Sequence, residues 1–316
     1  MPSRLADLSL AEIRDRFLDG GDAPSPQLLN RLRRDPRRGV RAVYRQLQRR
    51  HQEAQEVRRR LSALLAVERV LWEHGVERVA GIDEAGVGPL AGPVVAAAVV
   101  FRPGTEIVGV DDSKKLDAER REELAARIHA CAAGVGVGVA EVAEIDRVNV
   151  YQASLAAMRR AVEALPEAPQ HLLVDARRIP RLALPQSPFD QGDGMVFSIA
   201  AASIVAKTHR DALMCDLDRR YPEYGFARHK GYGTEEHRSA LAEHGPCDLH
   251  RLSYGAIREI CGDFSDRFYE LRERLAACVA EAELVAFESV LETAAELLVE
   301  EERKKLRLML RRRWGG

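Results

Sequence analysis

The segment Gly81-Ile82-Asp83-Glu84-Ala85-Gly86-Val87-Gly88-Pro89-Leu90-Ala91-Gly92-Pro93 ends an apolar run in two adjacent carboxylates and follows them with a glycine-rich turn. Carboxylates at a strand tip suit a hard divalent cation, because Mg²⁺ and Mn²⁺ favour oxygen ligands. Glycines just beyond let the backbone approach closely, and their N–H groups can hold a phosphate. The turn is not a Walker loop, since no Gly-Lys-Ser/Thr follows. Nor is it a dinucleotide fingerprint, whose third glycine and following helix are missing. Two further carboxylates have the same character. Asp175 closes the apolar run His171-Leu172-Leu173-Val174, and Asp193 stands in Gln191-Gly192-Asp193-Gly194, just before a helix that starts near Ser198. Each also has a plain structural reading, as an acidic turn after an edge strand or, for Asp193, as a helix cap. Together, three acidic sites near strand and helix ends are what a two-metal phosphoryl-transfer centre requires.

Two more stretches carry candidate contacts. The helix from Ser198 to Asp211 is rich in small residues, which allows close packing on a sheet; Lys207, Arg210 and Asp211 either belong to that packing or point toward a substrate. The stretch His229-Lys230-Gly231-Tyr232-Gly233-Thr234 puts a cation pair and a ring on a glycine-flexed loop. Stacking rings with nearby cations grip nucleotides, although a loop tyrosine also serves as a simple surface anchor.

The elements that must position these residues fall into three parts: 1–75, 76–262 and 263–316. In the first, Leu10, Ile13 and Phe17 form one amphipathic stripe, Gly20, Gly21 and Pro24 break it, and Leu28, Leu29 and Leu32 begin another. A longer helical pattern then runs from about Val40 to Trp72. Between Arg31 and Arg60 there are twelve arginines against three acids, although the whole chain of 316 residues has a formal net charge of only −1. In the middle part, apolar runs at Val79–Ile82, Pro93–Phe101, Val135–Val142 and Leu172–Val174 alternate with helical stretches at about 117–131, 150–164 and 198–219. That interleaving gives an α/β class with a mixed sheet flanked by helices, its first two strands close enough to pair antiparallel. The last part reads as a solvated two-helix appendage, acidic first and basic at its end, with a nucleic-acid contact from the final basic run as the alternative. No apolar run approaches the ~18 residues of a membrane helix, and no signal-peptide core appears near the start. Five cysteines in no CxxC pair fit reduced thiols, hence a cytoplasmic protein.

Taken in order, GIDEAGVGPLAGPV, Asp111–Leu116 (DDSKKL), Val174–Ala176 (VDA), SIAAASIVAKTHRD, HKGYGT and His250-Arg251-Leu252-Ser253-Tyr254 resemble the motifs of bacterial ribonuclease HII over about residues 78–258. The N-terminal helical segment resembles the extension of some Gram-positive members. The resemblance implies a ribonuclease H-like fold with helical N- and C-terminal extensions. It implies hydrolysis of the RNA strand of RNA–DNA hybrids and incision 5′ of ribonucleotides embedded in duplex DNA. Asp83, Glu84, Asp175 and Asp193 match the family's catalytic carboxylates and would hold two Mg²⁺ or Mn²⁺ ions. Gly86, Val87, Gly88, Ser113, Lys114, Lys207 and Tyr232 match substrate-binding positions. The family's glycine-arginine-glycine reads Gly86-Val87-Gly88, and its lysine-glycine-aspartate reads Gln191-Gly192-Asp193. Two cations are missing, which implies weaker or more salt-sensitive binding. Tyr232 favours type II over type III ribonuclease H. The expected partner is nucleic acid, with no membrane, no obligate protein partner and a monomeric chain. The alternatives are a catalytically weakened hybrid-binding protein and an actin-like nucleotide phosphotransferase; the latter would need a duplicated core and a second phosphate loop.

Overall fold

Ser9 opens the first helix with a capping box: its hydroxyl accepts from Glu12 N–H, and the Glu12 carboxylate accepts from Ser9 N–H at 2.7 Å. The computed structural model describes residues 5, 8–20, 24–261 and 264–314. It divides the chain into two compact units, Met1–Ala63 and Leu64–Gly316. In the first, α1 (Leu10–Arg14) runs into a π turn (Asp15–Asp19), followed by α2 (Pro26–Arg34) and α3 (Arg38–Leu64). Ile13, Phe17, Leu18, Leu32, Val40 and Val43 close a small core. Part of the arginine block works inside this unit. Arg37 pairs with Asp35 and donates to the carbonyls of Leu5 and Leu8, Arg41 donates to Asp35 O, and Arg50 to Leu18 O. Arg45, Arg49, Arg58 and Arg59 are exposed. The helix expected from Val40 to Trp72 is interrupted at Leu65, and α4 (Ala66–Glu73) belongs to the second unit.

That second unit is built on a five-stranded sheet of order β3-β2-β1-β4-β5, with β1 Val79–Ala85, β2 Val94–Val100, β3 Gly134–Ala140, β4 His171–Asp175 and β5 Gln186–Phe189. The first three strands pair antiparallel, whereas β1–β4 and β4–β5 are parallel. Helices α5 (Ala118–Cys131), α6 (Val142–Val148), α7 (Val150–Glu163), α8 (Phe197–Arg220), α9 (Phe226–His229), α10 (Glu235–His244) and α11 (Gly255–Cys261) follow in the order of the chain. Strand alternation decides what each face buries. Ala80 and Ile82 of β1 join Val94, Ala96, Ala98 and Val100 of β2 in a core with Ala153, Ala157, Met158 and Ala161 of α7. Val79 and Leu173 turn the other way, onto Ile199 of α8. Both faces are covered, so β2 is buried at every position. At Gly81 a Cβ would stand 2.1 Å from the backbone of Ser198, so the helix start lies directly on the strand that carries Asp83.

Strand β5 was not among the expected runs. Its sequence, Gln186-Ser187-Pro188-Phe189, is polar and carries a proline, which an edge strand tolerates because one side needs no ladder partner. The C-terminal region also differs from the expected two-helix appendage: it forms three helices, α12 (Asp266–Ala277), α13 (Glu281–Thr293) and α14 (Glu300–Trp314). Phe268, Leu271, Leu275, Leu284, Phe287, Leu291, Leu306, Met309 and Leu310 bury one face of each, in a cluster shared with Leu90, Leu241, Leu252 and Ile257. The conspicuous acids and bases of this region lie mostly on its outer face, although Glu302 and Arg272 are buried. No helix among the described residues is long and apolar enough to cross a membrane.

Candidate metal and nucleic-acid site

Parallel pairing of β1 with β4, in register at Ile82 and Val174, brings the next residues, Asp83 and Asp175, side by side at the strand ends. Oxygen atoms of Asp83, Glu84 and Asp175 lie within 4.8 Å of one another. Burial, then the charges of Glu84 and Asp175, push the Asp83 carboxyl well above its usual range. Burial also raises Glu84, against the pull of Arg177, and raises Asp175 even though the Gly192 N–H donates to Asp175 Oδ1 at 2.7 Å. Glu84 Oε2 is buried with no hydrogen-bond partner among the described residues. Crowded carboxylates held in repulsion, one with an orphaned oxygen, form an all-oxygen donor set of the kind a hard divalent cation satisfies. The residues fit such an ion.

Asp193, buried on the short turn Gly192–Gly194, stands outside this triad. It accepts from Lys114 Nζ at 3.1 Å, although it still raises Asp175 through its charge. Burial works against the Lys114 ammonium, but the bond to Asp193 and the surrounding acids hold its pKa above the ordinary value. Ser113 is buried, its hydroxyl 2.9 Å from that of Ser203 on α8. A pocket of about 300 Å³ joins the triad to Gly86, Val87, Gly88, Ser113, Lys114, Lys207 and Tyr232. Apart from Asp193, every residue expected at the site lines it. Tyr232 is 44% exposed, its ring 4.0 Å from where a Cβ at Gly88 would stand and 5.7 Å from Lys207 Nζ. Lys207 also donates to Asp211 at 2.7 Å.

Arg210 does not face the pocket. It is fully buried and donates to the carbonyls of Pro93, Ala91 and Lys230 at 3.0–3.1 Å. Arg251, equally buried, donates to Gly86 O at 2.5 Å, Val87 O at 2.9 Å and Gly92 O at 2.8 Å. Burial, then the charge of Arg251, push the Arg210 guanidinium down to about 10. Two guanidiniums therefore hold the carbonyls of the glycine turn on its inner side. The N–H groups of Gly86, Val87 and Gly88 have no backbone partner among the described residues. Gly86, at φ +96°, must be glycine, because a Cβ there would meet Arg210 Nε at 2.1 Å. The sequence motif that contains Arg251 gives it no evident task, and no motif singles out Ser203 and Arg121, which line the pocket, or Arg177, whose charge acts on Glu84. Buried and exposed arginines look alike in a sequence. The one available hint for Ser203 was a hydroxyl on an otherwise apolar helix face.

A sheet of three antiparallel strands extended by parallel ones, with acidic residues at the ends of β1 and β4 and helices on both faces, is the ribonuclease H-like class of fold. The family description Ribonuclease HII matches residues 80–257, and Ribonuclease HII N-terminal domain matches residues 9–72. The chain is 51% identical over 261 residues to ribonuclease HII of Anaeromyxobacter sp. (strain Fw109-5), covering 83% of each chain. It is 51% identical over 231 residues to ribonuclease HII of Geobacillus thermodenitrificans, covering 73% of this chain and 89% of the relative. The crystal structure of ribonuclease H2 from Pyrococcus horikoshii OT3 superposes with a TM-score of 0.51 at 26% identity, covering 58% of this chain and 96% of that one. The chain belongs to the ribonuclease HII family, and its activity is that of a ribonuclease H, an endonuclease of RNA–DNA hybrids.

Proposed function

We propose that this enzyme cuts immediately 5′ of ribonucleotides embedded in duplex DNA, as well as within longer hybrids, using two divalent cations held by Asp83, Glu84, Asp175 and Asp193. The observation that carries this reading is the convergence of three repelling carboxylates within 4.8 Å, with the orphaned Glu84 oxygen among them. When bound, Mg²⁺ or Mn²⁺ would neutralise the cluster, activate a water and stabilise the departing 3′ oxygen. The chain's own residues do the rest. The N–H groups of Gly86, Val87 and Gly88 meet the sugar and phosphate of the ribonucleotide strand, at a turn backed by two buried guanidiniums. Tyr232, whose ring lies beside Gly88, stacks on the next sugar. Lys114 and Lys207 contribute phosphate contacts, which position the strand without reading its sequence. No covalent intermediate is required.

A continuous hybrid supplied with Mg²⁺, Mn²⁺ or Ca²⁺ tests this reading against a hybrid-binding role. The expected result is cleavage in Mg²⁺ or Mn²⁺ and binding alone in Ca²⁺. Binding in all three without cleavage in any contradicts it.

A further inference from the structure

Helix α12 lies beyond residue 257, where the family match ends, yet one of its side chains is tied to the glycine turn. Arg272 is 4% exposed. Its Nη1 pairs with Asp146 Oδ2, and its Nη2 donates to Asp248 O at 2.9 Å and to His250 O at 2.7 Å. Asp146, on α6, in turn accepts from Leu252 N–H and Ser253 N–H at 3.0 Å and from Ser253 Oγ at 2.6 Å. The strip 248–253 is therefore held by this buried ion pair, alongside contacts from Tyr221 to Asp248, His237 to His250 and Tyr269 to Leu252 O. The same strip carries Arg251, which binds the carbonyls of Gly86, Val87 and Gly92. Gly92 N–H donates to Leu249 O at 2.8 Å, and Arg251 N–H to Leu90 O at 2.9 Å. Leu90 and Leu252 also bury themselves in the cluster formed by α12, α13 and α14.

We propose that Arg272 is a positioning residue: through Asp146 and the 248–250 carbonyls it fixes Arg251, and Arg251 fixes the glycine turn that faces the acidic triad. Arg272 touches neither the triad nor the pocket, so its effect reaches the reaction through the residues it holds, chiefly the backbone of residues 86–92. A buried pair costs desolvation and is weak evidence for stability, but it specifies one arrangement of the groups around it. Here that arrangement is the conformation of the turn. The consequence for cleavage rests on the function proposed above; the consequence for the turn does not.

The test uses the full-length chain with Arg272→Met, Arg272→Lys and Asp146→Asn beside the wild type. Hydrogen exchange without metal or nucleic acid reads the turn directly. In Arg272→Met, exchange at 86–92 and 248–254 is expected to rise about tenfold while β2 keeps its wild-type rate. Arg272→Lys keeps the charge beside Asp146 but cannot bridge both carbonyls, and is expected to fall between the two. Cleavage is then compared on a duplex with one ribonucleotide and on a continuous hybrid, below each variant's melting temperature. The ratio of the two is expected to fall roughly tenfold, chiefly in kcat, because a shifted turn misplaces the sugar at the cut. Wild-type exchange at 86–92 in a folded Arg272→Met overturns the proposal. So does faster exchange spread evenly over β2, with both substrates losing equally, which is the mark of lower stability alone. If Arg272→Met does not fold, Arg272→Lys and Asp146→Asn carry the same comparison. A wild type that cuts neither substrate sinks the proposed function, and the exchange result still decides the role of Arg272.

Discussion

Asp83 and Glu84 are neighbours in sequence, but strand alternation sends them to opposite sides of β1, and only the strand end lets both reach Asp175. Their charges oppose one another in a buried place. Replacing Asp83 or Asp175 by Asn removes that repulsion with almost no change of shape, so either variant should abolish cleavage while keeping or raising the melting temperature. Cleavage assays paired with calorimetric titration of Mn²⁺ check this; an Asp83→Asn enzyme with normal turnover in Mg²⁺ removes the residue from the centre. Asp193→Asn should be milder, because Asp193 stands outside the triad and its cationic partner, Lys114, is 83% exposed. The acidic residues were legible because carboxylates beside glycines are rare in an apolar run. Arg251 and Arg210 were not, since nothing in a sequence says that a guanidinium is bound to carbonyls rather than to water.

At the scale of elements, α8 brings Ser203 and Lys207 to the site and needs its N-terminus held. No side chain caps it locally; instead Glu68 of α4, 1% exposed, accepts from Ser198 N–H at 2.8 Å and from Ser198 Oγ at 2.7 Å. Burial raises the Glu68 carboxyl, and its second oxygen has no partner among the described residues. A neutral acceptor should serve as well. Glu68→Gln is expected to melt at or above the wild-type temperature, whereas Glu68→Leu should cost about 1–3 kcal/mol by stranding the donors. Thermal and chemical denaturation separate the two, and equal losses would mean that Glu68 does not cap the helix. This link was hidden from sequence because it joins residues 130 positions apart.

The loop bearing Tyr232 rests on a second buried device. His237 Nδ1 lies 2.9 Å from Tyr232 O, its Nε2 lies 3.1 Å from His250 Nε2, and its ring stacks on His229 at 4.4 Å. Burial holds His237 down to about 4 and His250 well below its usual value; His229, Arg238 and Arg272 add to the effect, and Cys247 lies against His250. The unfolded chain takes up these protons near pH 6.5, while in the folded one His237 resists until about pH 4 and His250 until well below 6.5. Their contribution is therefore complete above pH 6.5 and is lost as pH falls below it. Denaturation midpoints should drop between pH 7 and pH 5, and a flat profile would show that these rings are already charged in the folded protein.

Across the whole molecule, what the sequence made plain was pattern: β1 to β4, the long helices and the arginine block. What it hid was where charge is neutralised. The three C-terminal helices read as a solvated appendage because their acids outnumber their leucines, although the leucines seal the face behind Leu90 and Leu252. In the arginine block, Arg37, Arg41 and Arg50 are engaged inside their own unit, whereas Arg45, Arg49, Arg58 and Arg59 are exposed along α3, Arg49 and Arg59 with only surface pairs to Glu53 and Glu56, and can meet phosphate. Changing these four to Gln should lower the slope of log affinity against log salt by up to about 0.9 for each phosphate of duplex DNA that is no longer neutralised, without moving the cut. Affinity measured across a salt series checks it, and an unchanged slope assigns these arginines to another task.

The most direct measurement maps the cut on a 5′-labelled DNA duplex holding one ribonucleotide, with Mg²⁺, with Mn²⁺ and with chelator. The expected result is a single incision immediately 5′ of the ribonucleotide with either metal and none with chelator, abolished in Asp83→Asn and Asp175→Asn. Incision on the 3′ side, cleavage that survives the chelator, or an intact duplex beside a readily cut continuous hybrid would contradict it.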